Sequence, residues 1–331
     1  MNRRLVALAL LGLGACATVD RGIDRGASAA ADVLIPPESE AKLGSQLAAQ
    51  VNQEERISKD SDLQAYVDRV GARVLSVVPK ADRHGQTFTF TVIDKPKEVN
   101  AFAIPGAHIY VYSGLIAAAA NEAELAGVLA HEIGHATARH GAELLVKGMG
   151  LQTVMDLALG QNPNQLAALG AQIAGQGYLA QNSQDQEREA DTRGLRYLTA
   201  AGYDPYALPN FFQKLAKMQG SSPGAIAKFF ASHPAPAERA KTARTAIAKS
   251  GKTTGKTEIV GGFAAMKVRA GGASTAQTGT TGGNTAQSGT TDQGSRTGES
   301  ARPTPPATPP ATKKPSSGGS SSEGSLPAKP R

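Results

Sequence analysis

A histidine–glutamate–histidine pattern stands near the middle of the chain, in the run His131-Glu132-Ile133-Gly134-His135. Residues four apart on a helix lie about 40° apart around its axis, so His131 and His135 can point at one zinc ion. Glu132 lies beside that face, where it can take a proton from a water molecule whose pKa zinc lowers towards about 7. The pattern therefore predicts a zinc-dependent hydrolase with Glu132 as its general base.

The alternative interpretation of this pattern is a surface helix that carries two solvated histidines. The flanking residues Leu125, Val128, Leu129 and Ala136 form an apolar stripe at helical spacing. Such a stripe is typical of a helix packed against a core. The surroundings of the pattern therefore favour a buried metal-binding helix.

A catalytic zinc site needs a third protein ligand and one open position. His140 follows His135 by five residues, whereas the metzincin pattern requires six and a preceding glycine where this chain has Ala138. Glu143 is close in sequence, but its direction is not determined by spacing. The third candidate is Glu187. The residues alone leave these three candidates open.

The run at 131–135 followed by the distant E-x-x-A-D at 187–191 resembles the gluzincin zinc metallopeptidases of the HtpX/Ste24/BepA/LoiP type, metallopeptidase family forty-eight, in its periplasmic lipoprotein members. The resemblance covers roughly residues 38–250. It implies one zinc ion per chain, with Glu187 as the third ligand and Asp191 hydrogen-bonded to a zinc-bound histidine. Helix geometry agrees, because Glu187 and Asp191 share a face and Glu189 points about 200° away from Glu187.

A second match to the same family precedes the zinc helix, at residues 99–106 and 109–115. It resembles the strand pair found there in the family. The resemblance implies that an edge strand holds the substrate backbone in extended form. The alternative is a plain structural hairpin. The candidate substrate-binding residues are Asn100, Ala101, Phe102 and Ala103.

A third match is Ser232-His233-Pro234, with Arg239 further on, which resembles the late His-Pro element of periplasmic members. The resemblance implies that His233 lies near the metal. There it is either a fourth ligand that keeps the enzyme closed or a donor to the transition-state oxyanion. A helix-capping or core histidine is the alternative.

The elements that must position these residues are read from apolar periodicity. They predict an α+β fold, a helix-rich gluzincin domain with a small sheet. Residues 104–107 form a turn, so the two strands beside it should make a hairpin. Asn121 is a suitable N-cap for the zinc helix. Helices are predicted at 38–55, 60–78, 121–141, 142–159, 164–180, 183–201, 205–219 and 236–249, and strands at 87–93, 99–103 and 108–112.

The N-terminus has the features of a targeting segment. Arg3 and Arg4 precede the apolar run Leu5–Leu13, which is too short to span a bilayer. Cys16, the only cysteine, follows small residues in a sequence that resembles a bacterial lipobox. The alternative is an ordinary signal peptide with an incidental cysteine. Because Ala17 is not aspartate, lipoprotein sorting implies the periplasmic side of the outer membrane.

Composition changes abruptly near residue 270, and no Val, Ile, Leu, Met or aromatic residue follows until Leu326. Such a segment cannot bury enough apolar surface to fold, so disorder is predicted. A further strand is possible within 257–268. The predicted division is a lipoprotein signal peptide at 1–15, a linker at 16–37, the catalytic domain at 38–250, the possible strand at 251–269 and the tail at 270–331.

The net charge of +7 is spread along the chain, and no basic block is interleaved with aromatic residues. This distribution argues against nucleic acid as a partner. The resemblance implies a zinc endopeptidase in cell-envelope protein quality control, acting on unfolded or misassembled envelope proteins, with the membrane bound through lipidated Cys16. The alternative class is a zinc-stabilised chaperone or adaptor without catalysis. Glu132 favours the enzyme, since a purely structural zinc site would not need it.

Overall fold

A computed structural model describes residues 35–234 and 236–271 of the 331-residue chain. These residues belong to one of the chain's two compact units, and the second unit, Gly279–Arg331, lies outside them. The predicted signal peptide, Cys16 and the predicted tail beyond Gly271 also lie outside the described residues.

The predicted α+β class is confirmed. The sheet strands are β1 (Thr89–Ile93), β2 (Ala101–Ile104) and β3 (His108–Tyr112). The helices are α1 (Pro37–Glu54), α2 (Ser61–Leu75), α3 (Ser113–Ala118), α4 (Glu122–Thr137), α5 (His140–Met149), α6 (Leu151–Ala158), α7 (Pro163–Gln176), α8 (Gln184–Ala200), α9 (Ala207–Ser221), α10 (Pro223–Ser232), α11 (Pro236–Ser250) and α12 (Phe263–Ala270).

The sheet has the strand order β1-β3-β2. β1 runs parallel to β3, and β2 runs antiparallel to β3 with Phe102 opposite Tyr110. The predicted hairpin is thus confirmed. β2 is an edge strand among the described residues, so one side of its backbone has no neighbouring strand there.

The two faces of the sheet pack against different helices, because successive side chains of a strand point to opposite sides. Val111 lies in a buried cluster that includes Leu129 of α4. Tyr110 lies in a second cluster that includes Leu47 of α1. The sheet therefore separates the zinc helix α4 from α1 and its partners.

α4 begins as predicted, with the side chain of Asn121 accepting a hydrogen bond from the backbone N–H of Glu124 at 3.0 Å. It ends at Thr137, not at Gly141 as predicted. Arg139 adopts a left-handed conformation with φ 58°, which stops the helix. Its guanidinium donates to the buried carboxylate of Glu40 at 2.6 Å, a partner 99 positions away.

Small residues let α8 cross α4 at close range. A Cβ on Gly134 would lie 2.7 Å from the carbonyl oxygen of Ala190, and a Cβ on Gly194 would lie 3.0 Å from the backbone of His131. The glycine inside the histidine motif is therefore required by packing. This close approach brings the carboxylates of α8 to the histidines of α4.

Two other predicted elements need correction, and two helices were not predicted. The single helix predicted at 142–159 is two, α5 and α6, because Gly150 turns the chain with φ 80°. Helices α3 and α10 are the two that were not predicted. The strand proposed within 257–268 is wrong, since this stretch ends in helix α12. The backbone N–H groups of residues 259–261 donate to the carboxylate of Glu122 at 2.8, 2.8 and 3.0 Å, which leaves them unavailable to a neighbouring strand.

Within residues 35–234 and 236–271, no helix combines the length and the apolar character that crossing a membrane requires.

Candidate metal centre

His131 and His135 lie one turn apart on the buried face of α4, and only 1% and 4% of their surfaces are exposed. Their Nε2 atoms are 3.1 Å apart. The predicted common direction of the two rings is therefore observed. Two buried imidazole nitrogens this close together can bind the same metal ion.

Glu187 reaches this pair from the first turn of α8. Its Oε1 lies 3.2 Å from Nε2 of His135, and its Oε2 lies 3.6 Å from Nε2 of His131. The start of α8 is held by a capping box, in which Ser183 and Gln186 bond each other's backbone N–H groups. The cap fixes where the first turn begins and so where Glu187 points.

His233, the residue after α10, completes the group. Its Nδ1 lies 3.0 Å from Oε1 of Glu187 and 3.4 Å from Nε2 of His131. One donor atom from each of His131, His135, Glu187 and His233 lies within 4.8 Å of all the others, and all four residues are buried.

The spacing of these atoms fits a zinc ion. Ligands at the usual zinc bond lengths stand about 3.3–3.4 Å apart at the corners of a tetrahedron. The separations given above run from 3.0 to 3.6 Å. Imidazole nitrogens and a carboxylate oxygen are also the donors that zinc accepts in catalytic sites.

The protonation states of Glu187 and His135 suit metal binding. Burial raises the pKa of Glu187, but the charges of His233 and Arg239 outweigh it and hold that pKa well below its usual value. Burial lowers the pKa of His135 well below its usual value. An ionised carboxylate and a neutral imidazole are the forms that coordinate a cation.

Asp191 and Arg239 form a second layer behind His131. Oδ1 of Asp191 lies 3.0 Å from Nδ1 of His131. Arg239 donates to both carboxylate oxygens of Asp191 at 2.8 and 2.6 Å, and it also contacts Oε2 of Glu187. Burial raises the pKa of Asp191, but Arg239 outweighs this effect and brings the pKa to about 2. Arg239 therefore bridges the carboxylates of Asp191 and Glu187 on α8.

The other two candidate ligands lie outside the four-residue group. His140 places its Nδ1 against Nδ1 of His135, the nitrogen that faces away from the group. Glu143 pairs with Lys147 at 2.5 Å and accepts from Gln186 at 2.8 Å. Of the three sequence candidates, Glu187 is the one that the fold brings to the histidine pair.

Glu132 is 1% exposed and lines a cavity beside the group. Its Oε1 lies 3.6 Å from Nε2 of His233, and neither atom has a hydrogen-bond partner among the described residues. These two buried, unbonded polar atoms face a cavity in which a polar reactant can bind. Tyr178 also lines this cavity, and no sequence pattern pointed to it because it lies in the loop after α7.

The four candidate substrate-binding residues, in β2 and just before it, differ in which of their groups are free to contact a substrate. The side chain of Asn100 donates to the carbonyl of Gly177 at 2.7 Å, and Phe102 stacks on Tyr110 with ring centroids 5.0 Å apart. The backbone of Asn100 is bonded to β3 through the N–H of Tyr112. By strand alternation, the backbone groups of Ala101 and Ala103 then face the free edge.

Comparison with known proteins agrees with this geometry. The sequence model described as peptidase family M48 matches residues 61–247. The beta-barrel assembly-enhancing protease of Yersinia pestis is 32% identical over 231 residues, which cover 67% of this chain and 46% of that protein. The metalloprotease LoiP of Escherichia coli K12 is 33% identical over 175 residues, covering 51% of this chain and 66% of LoiP. The chain thus spans less than half the length of the Yersinia protein that it matches.

Proposed function

The chain belongs to peptidase family M48, and from this premise we propose that it is a zinc-dependent endopeptidase. His131, His135 and Glu187 hold the metal, and Glu132 is the general base. The observation that carries the proposal is Oε1 of Glu132, which is buried beside a donor group that fits zinc and has no hydrogen-bond partner within residues 35–234 and 236–271.

The reaction follows from the positions of these side chains. Zinc, when bound, supplies positive charge that polarises the scissile carbonyl and acidifies water. Glu132 accepts a proton from the attacking water and passes it to the nitrogen of the leaving amine. Glu132 lines the cavity together with His135 and His233, and its carboxylate is not part of the four-residue metal group.

Asp191 orients one of the metal-binding histidines. Its carboxylate accepts the proton of Nδ1 of His131, which leaves Nε2 free to bind the metal. Arg239 holds Asp191 in this position with two hydrogen bonds. These residues act on the reaction through His131 and do not touch the substrate.

The free edge of β2 binds the substrate. An extended polypeptide pairs with the backbone of Ala101 and Ala103, as an added strand of the sheet. Phe102 contributes a buried floor beneath it, and Asn100 holds the loop at Gly177. The contacts at Ala101 and Ala103 are therefore made by main-chain atoms, which suits an enzyme that accepts many sequences.

His233 acts as a fourth metal ligand in the resting protein. Its Nδ1 faces Glu187 and His131, which is the position that a catalytic site keeps open. The loop that carries it and the helical region 142–182 line the cavity together. We infer that both must move before a substrate enters. The alternative role, donation from Nε2 to the oxyanion, uses the other ring nitrogen.

The substrate class and location rest on the relatives, whose names describe a protease that enhances beta-barrel assembly and a metalloprotease. The substrates of this chain are unfolded or unassembled envelope polypeptides. It is a lipoprotein, with a signal peptide at 1–15, lipidated Cys16 and a linker at 16–37. The catalytic domain at 38–250 and the tail at 270–331 then face the periplasm at the outer membrane.

The test compares the full chain with its Glu132→Gln variant on an unfolded polypeptide. The variant keeps every metal ligand and loses the base, so it should bind about one zinc per chain and cleave nothing. Asp68→Asn, on the surface of α2, is the matched control and should cleave normally. Wild-type proteolysis by Glu132→Gln would overturn the mechanism. Zinc-dependent binding without cleavage by the unaltered protein would assign the chaperone role instead.

A further inference from the structure

Formal charge is distributed unevenly over the folded part of the chain. Residues 35–200 contain fourteen lysines and arginines against nineteen aspartates and glutamates, a net charge of −5. Residues 201–271, which include α9 to α12, contain eleven lysines and arginines against three aspartates and glutamates, a net charge of +8. The C-terminal part of the folded domain is therefore basic, whereas the rest of it is acidic.

Four basic side chains lie on two neighbouring helices of this part, and we call them the basic face: Lys217 of α9 and Lys241, Arg244 and Lys249 of α11. The three lysines are exposed, and Arg244 is half-buried. Arg244 donates to the side-chain oxygen of Gln213 on α9 at 3.3 Å, which places the two helices side by side here. Lys217 lies one turn beyond Gln213 on the same side of α9. The four charges thus share one surface.

The basic residues of α11 point away from the protein. At about 100° per residue, the three of them fall within an arc of about 140° around the helix axis and extend over about 12 Å of its length. Arg239 and Ile247, which are buried, point to the opposite side. The one acidic residue of α11, Glu238, lies in the first turn, where a carboxylate interacts favourably with the helix dipole.

No carboxylate pairs with the basic face. Within residues 35–234 and 236–271, none of its four side chains lies within 4.0 Å of an aspartate or glutamate oxygen. On the acidic part of the domain, by contrast, Arg56, Lys147 and Arg196 pair with carboxylates at 3.2, 2.5 and 2.9 Å. Positive charges that lack such partners remain available to attract an anionic surface.

We propose that the basic face binds the anionic phospholipid surface of the membrane that carries the chain. This contact goes beyond the proposed function, because it requires neither cleavage nor the lipid on Cys16. Ile35, the first described residue, follows Cys16 by 19 positions, a length that spans at most about 65 Å. A chain anchored at Cys16 therefore keeps the folded domain within reach of the membrane surface.

An anionic bilayer fits this face because the attraction needs only charge. Each lysine or arginine held close to such a surface strengthens binding by about fivefold, and the effect falls off within about 8–10 Å at physiological salt. All four residues lie on one side of the domain. Turning that side away from the membrane would lose all four contributions, so the basic face also orients the domain.

This orientation leaves the metal centre accessible to a polypeptide. The cavity beside the metal group is lined by residues of α1, β2, α4 and α5 and by the loops that follow α7 and α10, and by no described residue of α9 or α11. Arg239, which contacts the metal-binding Glu187, lies on the side of α11 opposite the basic face. Helix α11 therefore lies between the membrane and the metal group.

The test measures co-sedimentation of the correctly processed Cys16→Ser protein, which carries no lipid, with phosphatidylcholine vesicles that contain or lack phosphatidylglycerol. At low salt the protein should bind the anionic vesicles and leave the neutral ones, and added salt should release it. Lys217→Gln/Lys241→Gln/Lys249→Gln in the same protein should weaken this binding by about a hundredfold. Arg244 is kept, because its hydrogen bonds to α9 hold the two helices together.

The matched control is Lys42→Gln/Lys80→Gln/Lys97→Gln, which removes the same charge from α1 and from the loops after α2 and β1. These three lysines are exposed, and none belongs to the basic face. The control should stay within about fivefold of the starting affinity. Equal melting temperatures show that both variants are folded. If the basic-face variant does not fold, its three single changes replace it, each with an expected loss of about fivefold.

Three results would overturn the proposal: equal binding by the basic-face variant and the control, equal binding to neutral and anionic vesicles, and no binding to either. Tighter binding to duplex DNA than to anionic vesicles at the same salt would assign the face to a nucleic acid instead. None of these outcomes bears on the peptidase function, because cleavage is tested separately with Glu132→Gln.

Discussion

The Nδ1 atoms of His135 and His140 lie 2.8 Å apart in the protein interior. One nitrogen must donate and the other accept at this distance. Nε2 of His135 faces the metal group, so its Nδ1 carries the proton and donates to His140. Glu189 lies 3.7 Å from the far nitrogen of His140. His140 therefore orients His135, and Glu189 in turn contacts His140. Asp191 and Arg239 make the equivalent contacts to His131.

Replacing His140 should weaken metal binding without removing a ligand. His140→Ala is expected to lower zinc affinity by about ten- to a hundredfold, since His135 loses the acceptor that fixes its tautomer. Competition with a chromogenic chelator measures this change. His84→Asn is the control, because Nε2 of His84 lies 3.2 Å from the carbonyl of Thr137, at the end of the same helix, and His84 is not part of the metal group. Unchanged affinity in folded His140→Ala would contradict the role.

Glu187→Ala should cause the largest loss of zinc among changes to the acidic residues at the start of α8. The expected order of loss is Glu187→Ala, then Glu189→Ala, then Asp185→Ala. Helix geometry places Glu189 about 200° away from Glu187, but the pKa of Glu189 falls to about 2, chiefly through His140 and then Arg193 against the effect of burial. Metal analysis of folded protein decides the order. Equal zinc content in Glu187→Ala and Asp185→Ala would remove Glu187 from the ligand set.

His233→Ala should raise the basal cleavage of an unfolded polypeptide, because the open metal position is no longer filled by a protein side chain. The measurement is the initial rate at equal zinc content. A fall of about ten- to a thousandfold would instead identify His233 as an oxyanion donor. A rate and a zinc content that both stay unchanged would make His233 a structural residue. His108→Asn, at the start of the central strand β3, controls for loss of a partly buried histidine away from the metal group.

Cys16→Ser should release the protein from the membrane fraction, because a lipid on Cys16 is the proposed anchor. Fractionation of cells followed by a wash at high salt measures this release. Ala17→Ser is the control and should leave the protein membrane-bound. Membrane association of a correctly processed Cys16→Ser protein after the wash would show that another feature anchors it.

Local spacing predicted the parts of the site that lie within one helix. The relative positions of His131, Glu132 and His135 depend on α4 alone, and the N-cap residue Asn121 predicts where that helix begins. Glu187 needed the family resemblance as well, since spacing along the chain cannot show that α8 crosses α4 at Gly134.

The features that sequence reasoning missed depend on distant partners. α4 ends early because Arg139 turns back to Glu40, and nothing near Arg139 in the sequence indicates that pairing. The break between α5 and α6 was likewise missed, because a glycine within an apolar helical pattern does not by itself show that the chain turns at Gly150.

Glu122 determines where the folded domain ends. Its carboxylate receives the hydroxyls of Tyr66 and Tyr203 at 2.9 and 2.8 Å in addition to the backbone N–H groups of residues 259–261. A chain cut at the family boundary of residue 247 would lose those three donors and leave an ionised group, at the very start of the zinc helix, short of partners. Proteolytic trimming after residue 250 would thus act on the metal centre through α4, although none of the described residues 251–271 belongs to the metal group. Residues 259–261, which follow the matched family domain, therefore stabilise the start of α4. Any shortened version of the protein should keep them.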